Sequence, residues 1–311
     1  MSGARRVKAV ASMLLAVVLL AACGEVTNKD ASEQPAGANL RLTIATKNFT
    51  ESIIMGELYR QALQQNGFPV VIRKNVGTTE VLDQMLREGE IDGYPEYLSL
   101  AATEVAGENV MGKSAEETSK LVREFYATRG MVLSDETPFE NTDTVTVKAA
   151  FAQINNLRTI TDLRELPTFT LGARPEFEAR EQGFAGLQSV YRLTNAKFVP
   201  VAIDARFVAL DEGDVDAANV FSTDPQLASG DYRVLDDTEG LFANQHVALV
   251  VNEERLNSVG GEKYMSVVNA VNAELSQSAI IGLNGAVDLD KRDPADVARQ
   301  FLQQRGLVKA R

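Results

Sequence analysis

The sequence lacks tryptophan and contains one histidine and one cysteine among its 311 residues. A single histidine, His246, leaves little material for a histidine-based metal site or for histidine acid–base chemistry, and its neighbours indicate a packed or rim position. Because Cys23 has no second cysteine to pair with, we expect no internal disulfide and no other reactive thiol. We therefore predict no metal, no cofactor and no catalytic residue.

Positive charge is also scarce in this chain. The chain has 31 lysines and arginines and 43 aspartates and glutamates, which gives a net charge of −12. A nucleic-acid-binding protein needs a basic surface, so the charge argues against a nucleic-acid partner. The length and the 45% hydrophobic content are sufficient for two globular domains.

An apolar segment long enough to cross a membrane is missing from the amino terminus. The apolar run over residues 9–22 is shorter than the ~20 apolar residues that span a bilayer comfortably. Arg5, Arg6 and Lys8 precede this run, and no acidic residue occurs before Glu25. A basic segment followed by a short apolar segment is typical of a secretory signal.

The end of this run, Leu-Ala-Ala-Cys-Gly over residues 20–24, resembles the lipobox of bacterial lipoproteins. In that family the cysteine, here Cys23, is acylated and becomes the first residue of the mature protein. An ordinary signal with an incidental cysteine is the alternative. We expect a signal peptide over residues 1–22, a lipidated and disordered tether over residues 23–39, and an exported protein anchored by lipid to the extracytoplasmic face of the cell membrane.

Strand and helix patterns alternate along the remaining chain. Residues 40–46 alternate apolar and polar side chains, a helical pattern with Thr50 or Ser52 as its N-cap ends at Asn66, and a buried strand follows. Repeated strand–turn–helix units predict mostly parallel sheets. Two chain crossings predict a hinged protein with lobe 1 over residues 40–143, lobe 2 over residues 144–244, and a return to lobe 1 over residues 245–311.

One local frame, Leu-x-x-Gly-x-x-Asp followed by an aromatic residue, occurs twice, at residues 86–97 and 209–221. Glycine accepts the left-handed conformation that ends a helix, so the first helix should end at Gly89. A strand from Ile91 would then bring Tyr94 and Tyr97 just past its carboxyl end, where open α/β sheets bind ligands. The two copies suggest two similar lobes facing one cleft.

The aspartates of the two frames, Asp92 and Asp216, follow strand-like residues. Each is expected to be a structural residue that caps local backbone amides, and a contact with the ligand is the alternative. Arg174, in the segment Ala-Arg-Pro, has two alternative roles. Its guanidinium binds the ligand, or the residue lies in a solvated loop.

Several segments together resemble the glycine betaine/choline/carnitine substrate-binding proteins of ABC importers. They lie in the family's order, at residues 47–51 (Lys-Asn-Phe-Thr-Glu), 77–78 (Gly-Thr), 89–97 (Gly-Glu-Ile-Asp-Gly-Tyr-Pro-Glu-Tyr), 139–142 (Phe-Glu-Asn-Thr), 180–187 (Arg-Glu-Gln-Gly-Phe-Ala-Gly-Leu) and 221–224 (Phe-Ser-Thr-Asp). The resemblance implies an α/β, two-lobe type II periplasmic-binding-protein fold, in which each lobe is a mostly parallel sheet flanked by helices and the ligand lies in the interlobe cleft. It also implies an ABC permease subunit as partner.

The family's binding chemistry follows from its ligands. A quaternary ammonium group has no N–H to donate, so aromatic faces hold it by cation–π attraction, worth ~0.5–2 kcal/mol per contact. A cation and N–H groups hold the ligand carboxylate. By this resemblance, Lys47 and Arg180 match positions on the carboxylate side, Tyr97 matches a cage tyrosine, and Tyr94 lines the wall. The turns that carry Asn48 and Thr78 are directed into the cleft in the family.

The sequence departs from the family at the aromatic cage. Asp143, Phe221 and Gln245 stand where the family has tyrosines, and residues 98–100 (Leu-Ser-Leu) replace a Thr-Gly-Thr segment. Phe221 keeps an aromatic face, whereas Asp143 brings a carboxylate that can pair with a cation by Coulomb attraction. Such a site can still bind betaine-like ligands and suits a cation with N–H donors better.

The leading hypothesis is a solute receptor that binds a betaine- or choline-like osmoprotectant and delivers it to a permease. The first alternative keeps the fold and the transport role but changes the ligand to another small zwitterionic, amino-acid-derived or aromatic solute. An exported enzyme that uses Asp143 and another acid is a second alternative, and the motifs contain no nucleophile paired with a base. A structural or signalling lipoprotein with a defunct cleft is the third.

Overall fold

A computed structural model of the chain describes residues 41–243 and 245–309. The predicted signal peptide, the predicted lipidation site Cys23 and the predicted tether lie outside the described residues. Within the described part, no helix is both long enough and apolar enough to cross a membrane.

The strands of the described residues form two sheets of five strands each. They are β1 (Leu42–Lys47), β2 (Val70–Gly77), β3 (Gly93–Tyr97), β4 (Met131–Leu133), β5 (Asp143–Lys148), β6 (Phe169–Ala173), β7 (Ala196–Pro200), β8 (Ala217–Phe221), β9 (Tyr232–Leu235) and β10 (Val247–Asn252).

Helices connect these strands and cover both sheets. The α-helices are α1 (Thr50–Gln65), α2 (Thr79–Arg87), α3 (Leu98–Leu100), α4 (Ala115–Ala127), α5 (Ala149–Asn155), α6 (Phe184–Ser189), α7 (Arg206–Glu212), α8 (Glu253–Ser258), α9 (Gly261–Ala273), α10 (Gln277–Asp288) and α11 (Pro294–Gln304). A π-helical turn at Ala101–Val105 continues α3, and 3-10 turns occur at Ile160–Glu165, Pro175–Glu178, Ile203–Ala205 and Pro225–Ser229.

The two sheets have the same topology. The first has the order β2-β1-β3-β10-β4 and the second the order β7-β6-β8-β5-β9. In each sheet the first three strands are parallel, and the fourth runs antiparallel to both of its neighbours. We call the part around the first sheet the first lobe and the part around the second sheet the second lobe.

Apolar side chains fill both faces of each sheet. In the first lobe, α1, α9, α10 and α11 cover one face, while α2 and α4 cover the other. In the second lobe, α5 and α6 contribute to one core and α7 to the other. Burial of helices on both faces of a largely parallel sheet is the usual way such a lobe removes apolar area from water.

The repeated frame forms the same joint in both lobes. Gly89 after α2 has φ +74° and Gly213 after α7 has φ +76°, the left-handed conformation expected at a helix end. Asp92 Oδ2 accepts a hydrogen bond from the Thr43 backbone N–H at 2.7 Å, and Asp216 Oδ2 accepts one from the Thr170 N–H at 2.8 Å. Both aspartates thus have a structural role, as predicted, but the amides that they cap belong to the neighbouring parallel strand and are not local.

Two local predictions differ from the structure. The N-cap of α1 is Phe49, and neither Thr50 nor Ser52 takes that position; the Thr50 hydroxyl donates to Asp288 Oδ1 at 2.6 Å and Ser52 Oγ accepts from the Lys47 N–H at 2.9 Å. The third strand begins at Gly93, so Tyr94 and Tyr97 lie within it. The contact of Thr50 with α10 and that of Ser52 with the end of β1 take the place of local capping.

Candidate functional site

A cavity of about 460 Å³, its mouth included, lies between the two lobes. We call it the enclosed cavity. Its lining side chains come from both lobes and from the crossing segments, namely Lys47, Asn48, Phe49, Thr78, Thr79, Tyr97, Leu100, Asn141, Asp143, Arg174, Glu176, Arg180, Ile203, Phe221 and Gln245.

The strand ends explain why these side chains meet. Lys47 and Tyr97 are the last residues of β1 and β3, and Phe221 is the last residue of β8. Asp143 begins β5, which runs in the opposite direction, so its amino end lies at the same edge as the carboxyl end of β8. The cavity therefore occupies the edge at which α/β sheets usually bind ligands.

Eight of the nine predicted binding residues line the enclosed cavity: Lys47, Asn48, Thr78, Tyr97, Asp143, Arg180, Phe221 and Gln245. Their contact with a ligand stays a prediction.

Tyr94, the ninth predicted residue, does not line this cavity. It is buried in the core of the first lobe, where its hydroxyl lies 3.0 Å from that of Tyr126. Side chains alternate along a strand, so Tyr94 and Tyr97, three positions apart on β3, lie on opposite faces of the sheet. The expectation that Tyr94 forms part of the wall is corrected accordingly.

Three aromatic rings meet at the cavity wall. The Phe49 ring lies between Tyr97 of the first lobe and Phe221 of the second, with centroid separations of 5.7 Å and 5.2 Å. Phe49 was not among the predicted binding residues. The sequence feature that could have identified Phe49 is its position between Asn48 and Thr50 in the family-like segment, directly before a helix.

Cations of the protein already contact two of these rings. Lys47 Nζ lies 4.5 Å from the centroid of Tyr97, while the guanidinium carbons of Arg206 and Arg174 lie 4.3 Å and 5.3 Å from that of Phe221. Distances below about 6 Å are within the range of cation–π attraction. The ring faces are thus oriented to receive positive charge.

Asp143 forms a buried ion pair with Arg174. Arg174 Nη1 and Nη2 donate to the two carboxylate oxygens at 2.8 Å and 2.9 Å, and Asn219 Nδ2 donates to Oδ1 at 3.0 Å. Burial alone would raise the pKa of Asp143, but Arg174 and Asn219 hold it below its ordinary value. The carboxylate is therefore ionised, and a guanidinium of the protein is the cation with which it pairs.

Arg174 is 5% exposed, so it is not an arginine of a solvated loop. Its Nε also lies 3.4 Å from Glu176 Oε1. Two carboxylates thus share one guanidinium at the cavity wall. The sequence indicated only that Arg174 follows a strand, and its pairing with a residue 31 positions earlier depends on the tertiary fold.

Lys47 is paired with a carboxylate behind the wall. Its Nζ donates to Oε1 of the buried Glu96, which also accepts from the Tyr97 backbone N–H at 2.6 Å. Burial lowers the pKa of Lys47 even though Glu96 acts in the opposite direction. Lys47 therefore presents a desolvated ammonium group to the cavity.

Arg180 joins the second lobe to the first. Its Nη2 donates to Glu80 Oε1 at 2.8 Å, and its Nε lies 3.6 Å from Glu104 Oε2. Burial would raise the pKa of Glu80, but the Thr78 hydroxyl and Arg180 lower it to about 2. Arg180 Nε is buried without a hydrogen-bond partner among residues 41–243 and 245–309, which leaves a donor for a ligand acceptor.

Glu51 is a buried carboxylate that orders the residues around the rings. Its Oε1 accepts from the Tyr97 hydroxyl and from Asn141 Nδ2, both at 2.8 Å, and its Oε2 accepts from Asn284 Nδ2 at 2.9 Å. These bonds fix the orientation of Tyr97 and of both amides. Nothing in the local sequence distinguished Glu51 from a surface charge at the start of a helix.

No group of three or more histidine, cysteine, aspartate or glutamate side chains in the described part of the chain is placed to hold a metal ion. The chemistry available at the cavity is therefore that of three rings, paired cations and carboxylates, and neutral amides. Such a set can bind a small charged molecule.

The chain is similar to known proteins over most of its length. Residues 41–304 match the substrate binding domain of ABC-type glycine betaine transport systems. The ergothioneine transport permease/ergothioneine binding protein EgtU of Helicobacter pylori (strain G27) is 26% identical over 306 residues, which cover 97% of this chain and 53% of that protein. The chain thus spans about half the length of this relative.

Two further proteins resemble the chain over most of their own length. The glycine betaine-binding protein YehZ of Escherichia coli (strain K12) is 26% identical over 288 residues, covering 88% of this chain and 94% of that protein. A solved structure of a glycine betaine/carnitine/choline ABC transporter protein has a TM-score of 0.69 at 22% identity and covers 86% of this chain and 99% of that chain. This likeness confirms the predicted α/β, two-lobe type II fold.

Proposed function

Because the chain belongs to the family of substrate-binding domains of ABC-type glycine betaine transport systems, we propose that it binds one betaine- or choline-like osmoprotectant in the enclosed cavity. The predicted family and its role as a solute-binding component of a transporter are confirmed. The ligand, the residues that hold it, the anchor and the partner subunit form the proposal.

The observation that carries this proposal is the set of rings from both lobes at one cavity. Phe49 and Tyr97 come from the first lobe and Phe221 from the second, and each ring lies within 5.7 Å of the next. A quaternary ammonium group has no N–H to donate, so aromatic faces are the means by which a protein can hold it. A ligand that contacts rings of both lobes favours the closed arrangement of the lobes.

The ligand carboxylate is proposed to lie beside Lys47 and Arg180. Lys47 presents a buried ammonium group and Arg180 presents an Nε without a hydrogen-bond partner in the described part of the chain. Both groups make charge-assisted hydrogen bonds to a carboxylate. The Thr78 hydroxyl, Asn48 and Gln245 complete the polar part of the wall.

The hinge is proposed to lie at the two crossings between the lobes. Lobe 1 then comprises residues 40–143 and 245–311, and lobe 2 comprises residues 144–244. Asp143 and Gln245, at the two crossings, both line the enclosed cavity, so closure and ligand contact involve the same backbone segments.

A second candidate ligand is another zwitterion derived from an amino acid. The observation that favours it is the Asp143–Arg174 pair, which places a carboxylate and a guanidinium where the resemblance implies a tyrosine. The relative from H. pylori is named an ergothioneine binding protein. A ligand N–H group could donate to the Asp143 carboxylate, whereas glycine betaine has no N–H to donate.

The chain is proposed to act by binding and without catalysis. An exported enzyme would need Asp143 as a general acid or base, but Arg174 pairs with both of its oxygens and its pKa lies below the ordinary value. A carboxylate in this state has no proton to donate near neutral pH, and its lowered pKa makes it a weak base.

The partners are proposed to be an ABC permease subunit and, through an acylated Cys23, the extracytoplasmic face of the cell membrane. The permease follows from the transport role of the family. The anchor rests on the basic, apolar and Leu-Ala-Ala-Cys-Gly segments of the amino terminus.

A thermal-unfolding panel tests the ligand class. The full chain is heated with glycine betaine, choline, carnitine, ergothioneine or arginine, each at increasing concentration. A ligand at 100 times its Kd should add about 2.7 kcal/mol to the free energy of unfolding, which is readily detected. Stabilisation by a quaternary ammonium compound supports the proposal, and stabilisation by arginine alone would contradict it.

A further inference from the structure

A second and wider space adjoins the enclosed cavity between the lobes. This wide chamber has a volume of about 1570 Å³ with its mouth, and its wall includes Glu51, Arg206, Asp224, Gln226, Asn284 and Asp288. It shares Phe49, Arg174 and Phe221 with the enclosed cavity. The two spaces therefore adjoin at these side chains.

The wall of the wide chamber carries an excess of negative charge. Five carboxylates and three cationic side chains line it. Asp224 is paired with Arg206 at 3.0 Å, but no lysine or arginine nitrogen of residues 41–243 and 245–309 lies within 4.0 Å of Glu51 or Asp288. Burial raises the pKa of Asp288, although the Thr50 hydroxyl, Lys291 and Arg206 act in the opposite direction.

Asn284 provides an independent indication of a ligand. The residue is 3% exposed, and its Oδ1 has no hydrogen-bond partner in the described part of the chain. Its Nδ2 donates to Glu51 Oε2 at 2.9 Å and to the Thr223 carbonyl at 3.2 Å. Both of these partners are hydrogen-bond acceptors without a donor, so the side-chain amide cannot be flipped to exchange Nδ2 and Oδ1. Oδ1 therefore remains an acceptor at the chamber wall.

Gln226 adds a second acceptor of the same kind. Its Oε1 is buried and likewise lacks a partner among the described residues. A buried acceptor without a partner destabilises the protein, so a ligand that donates to it recovers this free energy. A quaternary ammonium group cannot do so because it has no N–H.

We propose that the wide chamber is a second binding site, specific for a small organic cation with N–H donors such as a guanidinium or primary ammonium ion. Glu51 and Asp288 supply the attracting charge, and the oxygens of Asn284 and Gln226 accept the N–H groups. The site differs from the enclosed cavity in ligand chemistry, so it does not depend on the ligand proposed there.

Calorimetric titration of the full chain with methylguanidinium tests the site, with tetramethylammonium as a cation of equal charge that lacks N–H groups. The variant Asp288→Asn should weaken methylguanidinium binding about tenfold, and the wild type should bind tetramethylammonium at least tenfold more weakly than methylguanidinium. Asp290→Asn makes the same charge change at an exposed residue outside the chamber and should have less than a twofold effect.

Gln226→Glu provides a gain-of-function variant at a partly exposed position. It adds a carboxylate to the chamber and should strengthen methylguanidinium binding about fivefold or more, which also keeps the test decisive if Asp288→Asn does not fold. Absence of methylguanidinium binding, equal effects of Asp288→Asn and Asp290→Asn, or a preference for Ca²⁺ over methylguanidinium would overturn the proposal.

Discussion

Phe221 contacts two guanidinium groups, from Arg206 and Arg174, and also lies 5.2 Å from the ring of Phe49. Phe221 can contact a ligand only through its aromatic ring, because the side chain has no polar atom. A ligand ammonium group must therefore share this electron-rich surface with cations of the protein. This sharing distinguishes the cavity from a cage built of tyrosines alone.

Replacement of Phe221 by leucine removes the aromatic face while keeping an apolar side chain. We expect the affinity for a quaternary ammonium ligand to fall about 2- to 30-fold, which corresponds to a loss of about 0.5–2 kcal/mol of cation–π attraction. Isothermal titration calorimetry measures the change. Phe198→Leu, which alters a ring that packs on Phe184 outside the cavity, is the control and should leave the affinity unchanged.

Asp143 illustrates a residue whose type was predictable and whose partner was not. The sequence placed a carboxylate at the cage and predicted that it could pair with a cation. The fold brings the buried guanidinium of Arg174 to it, so the charge is already compensated. Sequence patterns could not supply this pairing because the orientation of Arg174 depends on Asn219, which lies 45 positions away in the chain.

Asp143→Asn should lower the free energy of unfolding by about 3–5 kcal/mol, because it leaves the buried Arg174 without its bidentate partner. The double variant Asp143→Leu/Arg174→Met removes both charges and should recover most of the loss. Urea denaturation of the wild type, the single variant and the double variant gives the comparison. A single variant within 1 kcal/mol of the wild type would refute the buried pair.

Asp224 should make stability depend on pH. Burial raises its pKa from 3.8 to about 6, although Arg206 acts in the opposite direction. The folded state then binds the proton more tightly than the unfolded state, so this contribution to stability is fully present below about pH 4 and is lost as the pH rises to about 6. The expected loss is about 2–3 kcal/mol.

The variant Asp224→Asn has no carboxyl group to titrate at this position. Its free energy of unfolding, measured by urea denaturation at several pH values, should fall less between pH 4 and pH 6 than that of the wild type. The exposed Asp290→Asn variant should keep the wild-type slope. Identical slopes for the wild type and Asp224→Asn would show that Asp224 is not the group that titrates.

At the scale of elements, the helix–glycine–strand joint is the feature that the sequence specified most completely. The helix ends at Gly89 and Gly213 follow from local conformational preferences. Asp92 and Asp216 instead cap amides of the neighbouring strand, 49 and 46 positions away in the chain. The start of α1 was less predictable. Thr50 bonds to Asp288, a residue 238 positions away, and no local pattern contains that information.

Gly89→Ala and Gly213→Ala should each lower the free energy of unfolding by about 1 kcal/mol, because alanine is strained at positive φ. Gly282→Ala is the matched control. Gly282 is exposed within α10, and a Cβ atom there would meet nothing within 4 Å. It should stabilise the protein by about 0.5–1 kcal/mol in the same urea experiment. Equal effects at all three positions would contradict the left-handed joint.

The whole molecule repeats one sheet topology in two lobes and places the enclosed cavity between them. The repeated frame in the sequence predicted this similarity, since α2–β3 and α7–β8 occupy equivalent places in the two sheets. It could not predict which side chains cross the gap. Arg180 reaches Glu80 and Glu104 of the other lobe, and Phe221 reaches Phe49, only because of the way the lobes face each other.

The central claim is that the enclosed cavity holds a zwitterion with its carboxylate at Lys47 and Arg180 and its ammonium group at the rings. The most direct test is calorimetric titration of the wild type and of Arg180→Met with glycine betaine, which has a carboxylate, and with choline, which has none. We predict one-to-one binding of glycine betaine to the wild type and a loss of affinity in Arg180→Met that is at least tenfold greater for glycine betaine than for choline. An equal loss for both ligands, or no binding of either to the wild type, would contradict this account.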